Sequence, residues 1–322
     1  MHGEDKSNQQ VVATSPAHHG DGKGGKGISR VVGGATSGAL ELIIFHPVDT
    51  VAKRLMSNQG KLVVQGDFAA TRKNINQVVF RHTADAGVFA KWKSMFPGLG
   101  FAAGYKIAQR TYKFGGQPFV MDFINSTIGP QLQATMGPKK GKVFSSAVAG
   151  SLMGIGEVLL LPLDVLKIKA QTNPDVLKGR GLVDIFMKEG RALYKGGAWT
   201  AARNAPGSFA LFGGASAVQY GIFKLEDPKK ATFWQNFAAS IGGAVASITV
   251  AAPLDVVKTR IQSKAFDSTE SGVSIVRNLI KNEGFTAFFK GLTPKLIVVG
   301  PKLVFSFTIA QSVMNYLEKA LA

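Results

Sequence analysis

Residues 162–171, PLDVLKIKAQ, determine how this chain is organised, because they recur as PLDVVKTRIQ at residues 253–262. A weaker copy, PVDTVAKRLM, stands at residues 47–56. Each copy is followed by a polar loop and then by a second short mark: FPG at 96–98, YKG at 194–196 and FKG at 289–291. A ten-residue pattern rarely recurs by chance, so the sequence predicts three tandem copies of one structural unit.

The marks place the repeats at residues 28–135, 136–230 and 231–322. The residues before them, 1–27, are rich in glycine, histidine and serine and carry balanced charges. They contain neither the apolar core of a secretory signal nor an arginine-rich amphipathic pattern. We therefore expect a disordered N-terminal tail followed by three repeats.

The composition favours a membrane location. Only 18% of the residues are charged, 45% are hydrophobic and 38 are glycine, a combination typical of helices that pack closely in lipid. Six stretches are long enough to cross a bilayer: 29–52, 98–114, 143–166, 197–222, 236–257 and 292–316. Most of them keep a few ionisable groups, as transporters do where buried charges line a water-filled path.

The net charge of +18 would by itself suggest a nucleic-acid partner, and a DNA-associated membrane protein is the alternative from a different class. Most of the positive excess, however, lies in alternate loops, at 53–97, 167–195 and 258–290, which resembles the topology bias of membrane proteins. The sequence has no cysteine, no nucleophile–histidine pair and no phosphate-binding glycine loop. We therefore expect no metal site, no cofactor and no enzymatic activity.

The ten-residue motif resembles the signature of the mitochondrial carrier family, and the resemblance extends from about residue 28 to the end of the chain. It implies an all-α membrane protein, with six transmembrane helices in a threefold pseudosymmetric barrel and short helices on the matrix side. It also implies a multi-pass protein of the mitochondrial inner membrane with both termini toward the intermembrane space. Beyond the inner-membrane lipid, no obligatory protein partner is expected.

A proline inside a helix removes one backbone hydrogen bond and bends the axis, so each motif is expected to bend an odd-numbered helix toward the barrel axis. The acid and the base three residues apart then face nearly the same way. The resemblance implies a ring of ion pairs, braced by glutamines, that closes the matrix side. The residues of this predicted matrix gate are Asp49, Asp164, Lys167, Asp255, Lys258, Gln171 and Gln262.

Pairing across the ring follows the order of the repeats in this family. Asp49 is then expected to pair with Lys167, and Asp164 is expected to pair with Lys258. The base that Asp255 would need is replaced by Ala52 in the first repeat. The resemblance therefore predicts a ring with one ion pair missing.

Two lysine–glycine pairs, Lys195-Gly196 and Lys290-Gly291, stand where helices begin. Free backbone N–H groups at such positions attract phosphate. The resemblance implies that they bind cardiolipin. The first repeat lacks the basic residue of this mark.

The family binds its substrate midway through the barrel, seven and eight positions after each repeat glycine. The polar residues at or near those positions carry mainly positive charge: Lys106, Arg110, Arg203, Asn204, Lys295 and Lys302. Cations spread over three helices suit a large polyanion such as a nucleotide di- or triphosphate.

Longer segments resemble the guanine-nucleotide carriers of this family, among them 45–50, 199–212 and 300–307. The arginine-rich run of the ADP/ATP carriers is absent, and Lys258-Thr-Arg260 takes its place. The resemblance implies an exchange of GTP inward against GDP or GMP outward. A keto-acid or tricarboxylate carrier is the alternative within the family, because Arg203-Asn204 resembles that type of contact as well.

Glu157 lies five residues before the proline of the second motif, at a position that faces the cavity in this family. A carboxylate inside a membrane span needs a partner or a ligand. One interpretation is a structural pair with a cation such as Arg203 or Lys106. The other is recognition of guanine, whose N1–H and exocyclic amine are two adjacent donors that match one carboxylate.

Overall fold

The structure, a computed structural model, describes residues 24–225 and 231–320. Within these ranges the chain is helical and contains no strand. Short turns of tighter or wider helix connect several of the elements. The α-helices, in chain order, are α1 Gly24–Ser57, α2 Phe68–Phe80, α3 Val88–Lys93, α4 Leu99–Thr127, α5 Gly129–Met136, α6 Pro138–Gly156, α7 Leu161–Thr172, α8 Leu182–Glu189, α9 Gly197–Ser216, α10 Phe233–Ser263, α11 Gly272–Asn278, α12 Leu292–Ile297 and α13 Val299–Ala320.

Six long helical segments correspond to the six predicted stretches. They are α1, α4, α6 with α7, α9, α10, and α12 with α13. Two stretches, Lys140–Thr172 and Phe233–Ser263, are long and apolar enough to cross a membrane by length and composition. The helix α1 begins at Gly24, inside the predicted tail, and the earlier part of that tail lies outside the described residues.

The long segments pack in the order in which they occur in the chain. The helix α1 contacts α4, which packs on α6 and α7, and α6 packs on α9. In turn α9 packs on α10, α10 contacts α12 and α13, and α13 returns to α1. The three motif-bearing helices α1, α7 and α10 also contact one another in every pairing. We call the region where these three helices meet the motif end.

The motif prolines act differently in the three repeats. Pro47 and Pro253 lie inside the continuous helices α1 and α10. Pro162 instead stands in the first turn of α7, after a 3₁₀ turn at Glu157–Leu160 that separates α7 from α6. Proline has no N–H to donate and is tolerated in a first turn, so the second repeat has a break in the helix where the sequence predicts only a bend.

The repeat glycines stand at the start of the second, fourth and sixth long segments. Gly98, Gly196 and Gly291 precede α4, α9 and α12 with φ angles of 71°, 81° and 76°, a left-handed backbone that favours glycine. A Cβ on Gly98 would lie 2.5 Å from the Cβ of Ala170 in α7, and one on Gly291 would lie 2.6 Å from the carbonyl oxygen of Ala52 in α1. Each of these starts therefore packs against the motif helix of the following repeat, and the third packs against the first.

Glycine also brings α9 and α10 into close contact. A Cβ on Gly243 would lie 2.5 Å from the carbonyl oxygen of Leu211 in α9, and one on Gly242 would lie 2.4 Å from Cγ2 of Val218, just beyond the end of α9. Small residues permit such approach between helices. This agrees with the glycine-rich composition, which is typical of helices that pack closely.

The apolar core lies near the motif end. One cluster, around Leu166 and Ile185, joins α7 to α8. A second cluster, around Val256, Leu279 and Phe288, joins α10 to the segment that follows α11. The short helices thus pack on the ends of the motif helices and leave the interior between the long segments to polar side chains.

Candidate functional site

One group of predicted substrate residues surrounds Glu41 of α1. Its Oε1 lies 2.6 Å from Lys106 Nζ of α4 and 3.2 Å from Lys302 Nζ of α13. Ser306 donates a hydrogen bond to its other oxygen. The Glu41 side chain is 10% exposed, so three helices meet at a nearly buried ionic cluster. Sequence reasoning missed Glu41, although a carboxylate inside an apolar stretch is a signal that the site needs a cation.

A second group surrounds Asp255 of α10. Oδ1 lies 2.9 Å from Arg203 Nε of α9, and Oδ2 lies 2.6 Å from Lys295 Nζ of α12. The ion pair that the replacement by Ala52 predicts to be missing from the ring is missing, and Asp255 pairs instead with two cations expected to bind substrate. Ala52 itself is fully buried at the contact with Gly291.

The other acids of the predicted gate meet the expected bases. Lys258 Nζ lies 2.6 Å from Asp164 Oδ2, and both side chains are nearly buried. Lys167 Nζ lies 3.7 Å from Asp49 Oδ2. The motif end therefore holds two ion pairs between motif residues of successive repeats. The third acid, Asp255, pairs with Arg203 and Lys295 instead.

The two predicted glutamine braces differ. Gln171 donates from Nε2 to Thr50 Oγ1 at 3.2 Å and so joins α7 to α1. Gln262 is buried, and its amide atoms have no hydrogen-bond partner among the described residues. Of the two side chains, the structure therefore brings only Gln171 to a polar group on another motif helix.

A third group contains Glu157 and Asn204. Glu157 is 5% exposed, and its Oε2 accepts hydrogen bonds from Gln109 Nε2 at 2.9 Å and from Asn204 Nδ2 at 3.4 Å. Gln109 Nε2 also lies 3.3 Å from the Tyr105 hydroxyl. Asn204 accepts from Arg203 at 2.8 Å through its amide oxygen. This polar group therefore adjoins the Asp255 group directly, through neighbouring residues of α9.

Apart from Arg110, the predicted substrate residues thus lie in three groups contributed by all six long segments. Arg110 stands in α4, but its side chain lies outside the described ones. Ammonium and guanidinium groups form strong charge-assisted hydrogen bonds to phosphate oxygens. The cations of the first two groups would suit a polyanion, and the amide–carboxylate group would suit a ligand with polar N–H groups.

The predicted lipid-binding lysines contact loops of the following repeat. Lys195 donates to the backbone carbonyls of Phe266 and Ser268, the latter at 2.9 Å. A cavity of about 480 Å³ opens beside Lys195 and Gly196, with Trp199 and Thr269 also in its wall. The start of α9 therefore has both a basic residue and space beside it.

Lys290 donates to the carbonyls of Gly60 at 2.6 Å and Asn58 at 3.2 Å, and it also pairs with Glu283. Burial lowers the pKa of Lys290, although the Glu283 carboxylate raises it. Burial raises the pKa of Glu283, but hydrogen bonds from Arg260 and Lys290 bring it below its usual value of 4.5. The third repeat is thus held to the first by charged groups around Glu283.

A cycle of basic residues, which we call the cyclic clasp, links the motif helices and was missed by sequence reasoning. Arg54 Nε donates to the carbonyl of Gln171 at 3.1 Å, and Arg260 Nε donates to that of Met56 at 3.1 Å. Lys169 donates to a carbonyl just beyond α10. The three bases occupy the same motif position, so their recurrence was the available signal.

Arg81 makes a similar contact in the first repeat, whose mark lacks a lysine. It donates to the carbonyl of Thr172 at the end of α7. Its φ of 54° is left-handed, which is uncommon for a residue with a side chain. Arg81 therefore ties the first repeat to the second much as Lys195 and Lys290 tie the later repeats.

The chain is similar to mitochondrial carriers over most of its length. A family model described as Mitochondrial carrier protein matches residues 139–224 and 229–321. An uncharacterized mitochondrial carrier of Schizosaccharomyces pombe is 56% identical over 293 residues, which cover 91% of this chain and 95% of the relative. Mitochondrial GTP/GDP carrier protein 1 of Saccharomyces cerevisiae is 52% identical over 297 residues, covering 92% and 97% respectively. Mitochondrial citrate transporter C of Aspergillus niger is 26% identical over 317 residues, covering 90% of each chain.

Proposed function

The chain belongs to the mitochondrial carrier protein family, and from this we propose that it exchanges guanine nucleotides across the mitochondrial inner membrane, GTP inward against GDP or GMP outward. Members of the family are transporters, so the chain is a transporter and not an enzyme. The nucleotide is the proposed part. The relative named as a GTP/GDP carrier supports it with twice the identity of the citrate transporter, over a similar share of the chain.

One observation carries the proposal. The Asp255 group, which contains cations, lies beside the Glu157 group, whose carboxylate can accept hydrogen bonds from the N–H donors of a base. Arg203 belongs to the Asp255 group, and the next residue, Asn204, contacts Glu157. A nucleotide needs both, because its phosphates require cations and its base requires polar partners. Guanine offers two adjacent N–H donors to one carboxylate, whereas adenine has an acceptor at N1 that the same carboxylate would repel.

We further propose that the six long segments are the membrane spans of a threefold pseudosymmetric barrel, with both termini toward the intermembrane space. The motif end would be its matrix gate. The glycine starts with Lys195 and Lys290 would be cardiolipin sites, which the basic groups and free N–H groups at these helix starts support.

Transport by the purified protein in liposomes tests the substrate. We expect uptake of labelled GTP that requires internal GDP, GMP or GTP, and that unlabelled GDP inhibits more strongly than ATP, citrate or oxoglutarate. Uptake driven by citrate or oxoglutarate with no response to GTP would favour the acid carriers. Retention of DNA by the liposomes without any uptake would favour the DNA-associated alternative.

A further inference from the structure

We propose that Gln109 donates a hydrogen bond to O6 of the guanine and so reads, together with Glu157, one whole edge of the base. The inference rests on the proposed guanine-nucleotide exchange and adds a second specificity residue to it. On this edge guanine presents one acceptor, O6, followed by two donors, N1–H and the exocyclic amine. A carboxylate matches the two donors, so the site needs a further donor beside that carboxylate.

Gln109 of α4 lies where such a donor is needed. Its Nε2 is 2.9 Å from Oε2 of Glu157. In guanine, O6 and N1 are separated by two covalent bonds, so the groups that face them must lie side by side at about this spacing. An amide nitrogen carries two N–H groups. One of them can stay on Glu157 while the other donates to O6.

The second N–H of Gln109 has a weak partner in the empty site. The same nitrogen lies 3.3 Å from the Tyr105 hydroxyl, which is longer than the usual N–H···O distance of about 2.9–3.0 Å. Replacing this contact by O6 therefore costs little. Gln109 is half-buried, whereas Glu157 and Asn204 are each 5% exposed. Of these three side chains, Gln109 is the one that a ligand reaches most easily.

Asn204 is less suited to donate to O6. Its Nδ2 already donates to the carbonyl of Gly154 at 2.7 Å and to Glu157 Oε2 at 3.4 Å. Both N–H groups of that amide are therefore used inside the protein. Lys106, three residues before Gln109 and so on the same side of α4, belongs to the Glu41 group. One side of α4 thus carries a cation suited to phosphate and a donor suited to the base.

The carboxylate also fixes which atom of the Gln109 amide points toward it. A free glutamine can read a donor or an acceptor, because rotation about one bond exchanges its oxygen and nitrogen. If the Gln109 amide turned, its oxygen would face Oε2 of Glu157 with no proton between them. The nitrogen is therefore held beside the carboxylate. Adenine carries an amine in place of O6, so a donor would meet a donor and Gln109 would disfavour adenine.

The first test needs no substitution and compares nucleotide analogues on the whole protein in liposomes. In 6-thio-GTP, sulfur, a weak acceptor, replaces O6, while N1–H and the amine remain. We expect the half-saturating concentration of 6-thio-GTP to exceed that of GTP by about twofold to tenfold, the range for one neutral hydrogen bond. Equal half-saturation by the two nucleotides would overturn the role of Gln109.

The second test is Gln109→Leu, which removes the donor and keeps a side chain of similar length. Half-saturation by GTP should rise to the value for 6-thio-GTP, which should itself change little. ITP lacks the exocyclic amine but keeps O6, so the preference for GTP over ITP reports on Glu157 and should remain. If Gln109 merely positioned Glu157, both preferences would fall together, and that result would overturn the inference.

Thr111→Val is the matched control on the same helix. Thr111 is exposed, and its hydroxyl donates to the carbonyl of Ile107 within α4. Both preferences should keep their wild-type values in this variant. Exchange of GTP without discrimination against 6-thio-GTP in the wild type would contradict the role of Gln109 alone. Uptake of citrate with no response to any of the three nucleotides would overturn the proposed nucleotide exchange as well.

Discussion

Arg203 and Lys302 are the residues whose loss should affect exchange most directly. Each is paired with a nearly buried carboxylate, in the Asp255 and Glu41 groups respectively. Replacing either by alanine removes a cation whose hydrogen bonds to phosphate oxygens would contribute about 1.5–3 kcal/mol, and it leaves the acid with one cation fewer. We expect GTP exchange to fall by about tenfold or more for Arg203→Ala and for Lys302→Ala.

The matched control is Lys188→Ala, which removes an exposed lysine that pairs with Asp184 on α8. Exposed ion pairs contribute little, so exchange should stay at the wild-type rate. Wild-type exchange by both substrate-group variants would mean that these cations do not hold the phosphates.

Glu157 tests how the base is read. In Glu157→Gln the shape is kept, but an amide donor replaces a carboxylate oxygen that would face the donors of guanine. Polar readout of this kind discriminates by roughly 1–3 kcal/mol. We expect the ratio of GTP to ATP transport to fall more than total binding does, measured by competition in liposomes. If both nucleotides lose transport by one factor, Glu157 has a structural role with Gln109 and Asn204.

At this scale the sequence predicted the residue types better than their partners. The motif acids, and the cations that we propose for the substrate, could be placed by position in the repeat. The pairing of Asp255 with Lys295, and the presence of Glu41 beside Lys106, depend on how close separate helices come. Periodicity along one helix carries no such information.

Among the elements, the contact between α9 and α10 is sensitive to added volume because backbone atoms lie close together there. In Gly243→Ala the new methyl group would lie 2.5 Å from a backbone carbonyl of α9, which a side-chain rotation does not relieve. Overpacking of this kind costs about 1–3 kcal/mol, so we expect a lower unfolding temperature in detergent. Gly213→Ala is the matched control, because a Cβ at this position of α9 meets nothing within 4 Å. It should be neutral or slightly stabilising, and equal destabilisation of both variants would contradict this account.

The contact between Arg260 of α10 and Glu283, which lies between α11 and α12, should weaken in acid. Glu283 accepts two hydrogen bonds from Arg260 and pairs with Lys290. Its folded pKa lies below the usual 4.5, so it is ionised in the folded and unfolded chains at neutral pH and contributes its full stabilisation there. That contribution is lost as the pH falls through the folded pKa. We expect Glu283→Gln to unfold at a lower temperature at neutral pH and to show a smaller further decrease in acid. If the unfolding temperature of this variant falls in acid as steeply as that of the wild type, carboxylates other than Glu283 determine the acid dependence.

The six long helices were predictable because each apolar stretch is long and bounded by charged loops. The break between α6 and α7 was not. A proline predicts only that the helix is disturbed, and whether it bends or breaks depends on neighbours such as Tyr112, whose hydroxyl would lie 2.0 Å from a Cβ on Gly156. Such packing joins residues that are distant in the sequence, so only the folded structure shows it.

For the whole molecule, the internal repeat predicted the number of units and their order. It did not predict how they are held together at the motif end. The clasp residues Arg54, Lys169 and Arg260 are visible in the motif, but the carbonyls that they reach belong to another repeat. A backbone acceptor has no sequence signature, so only the fold identifies it.

The cyclic clasp has a consequence for how the protein is made. The bonds from Arg260 to the end of α1 span 202 and 204 residues, whereas that from Arg54 to α7 spans 117 and that from Lys169 spans 95. Contacts between residues distant in sequence form late, because closing a long chain segment loses more conformational entropy before the contact contributes any stabilisation. The bond from Arg54 joins the first two repeats and can form while the third repeat is still unfolded, the bond from Lys169 follows once α10 has folded, and the bonds from Arg260 complete the ring. Moving the first repeat behind the third would change the order, since Arg260 and Met56 would then lie in successive repeats and the bond from Arg54 would span the longest segment and form last.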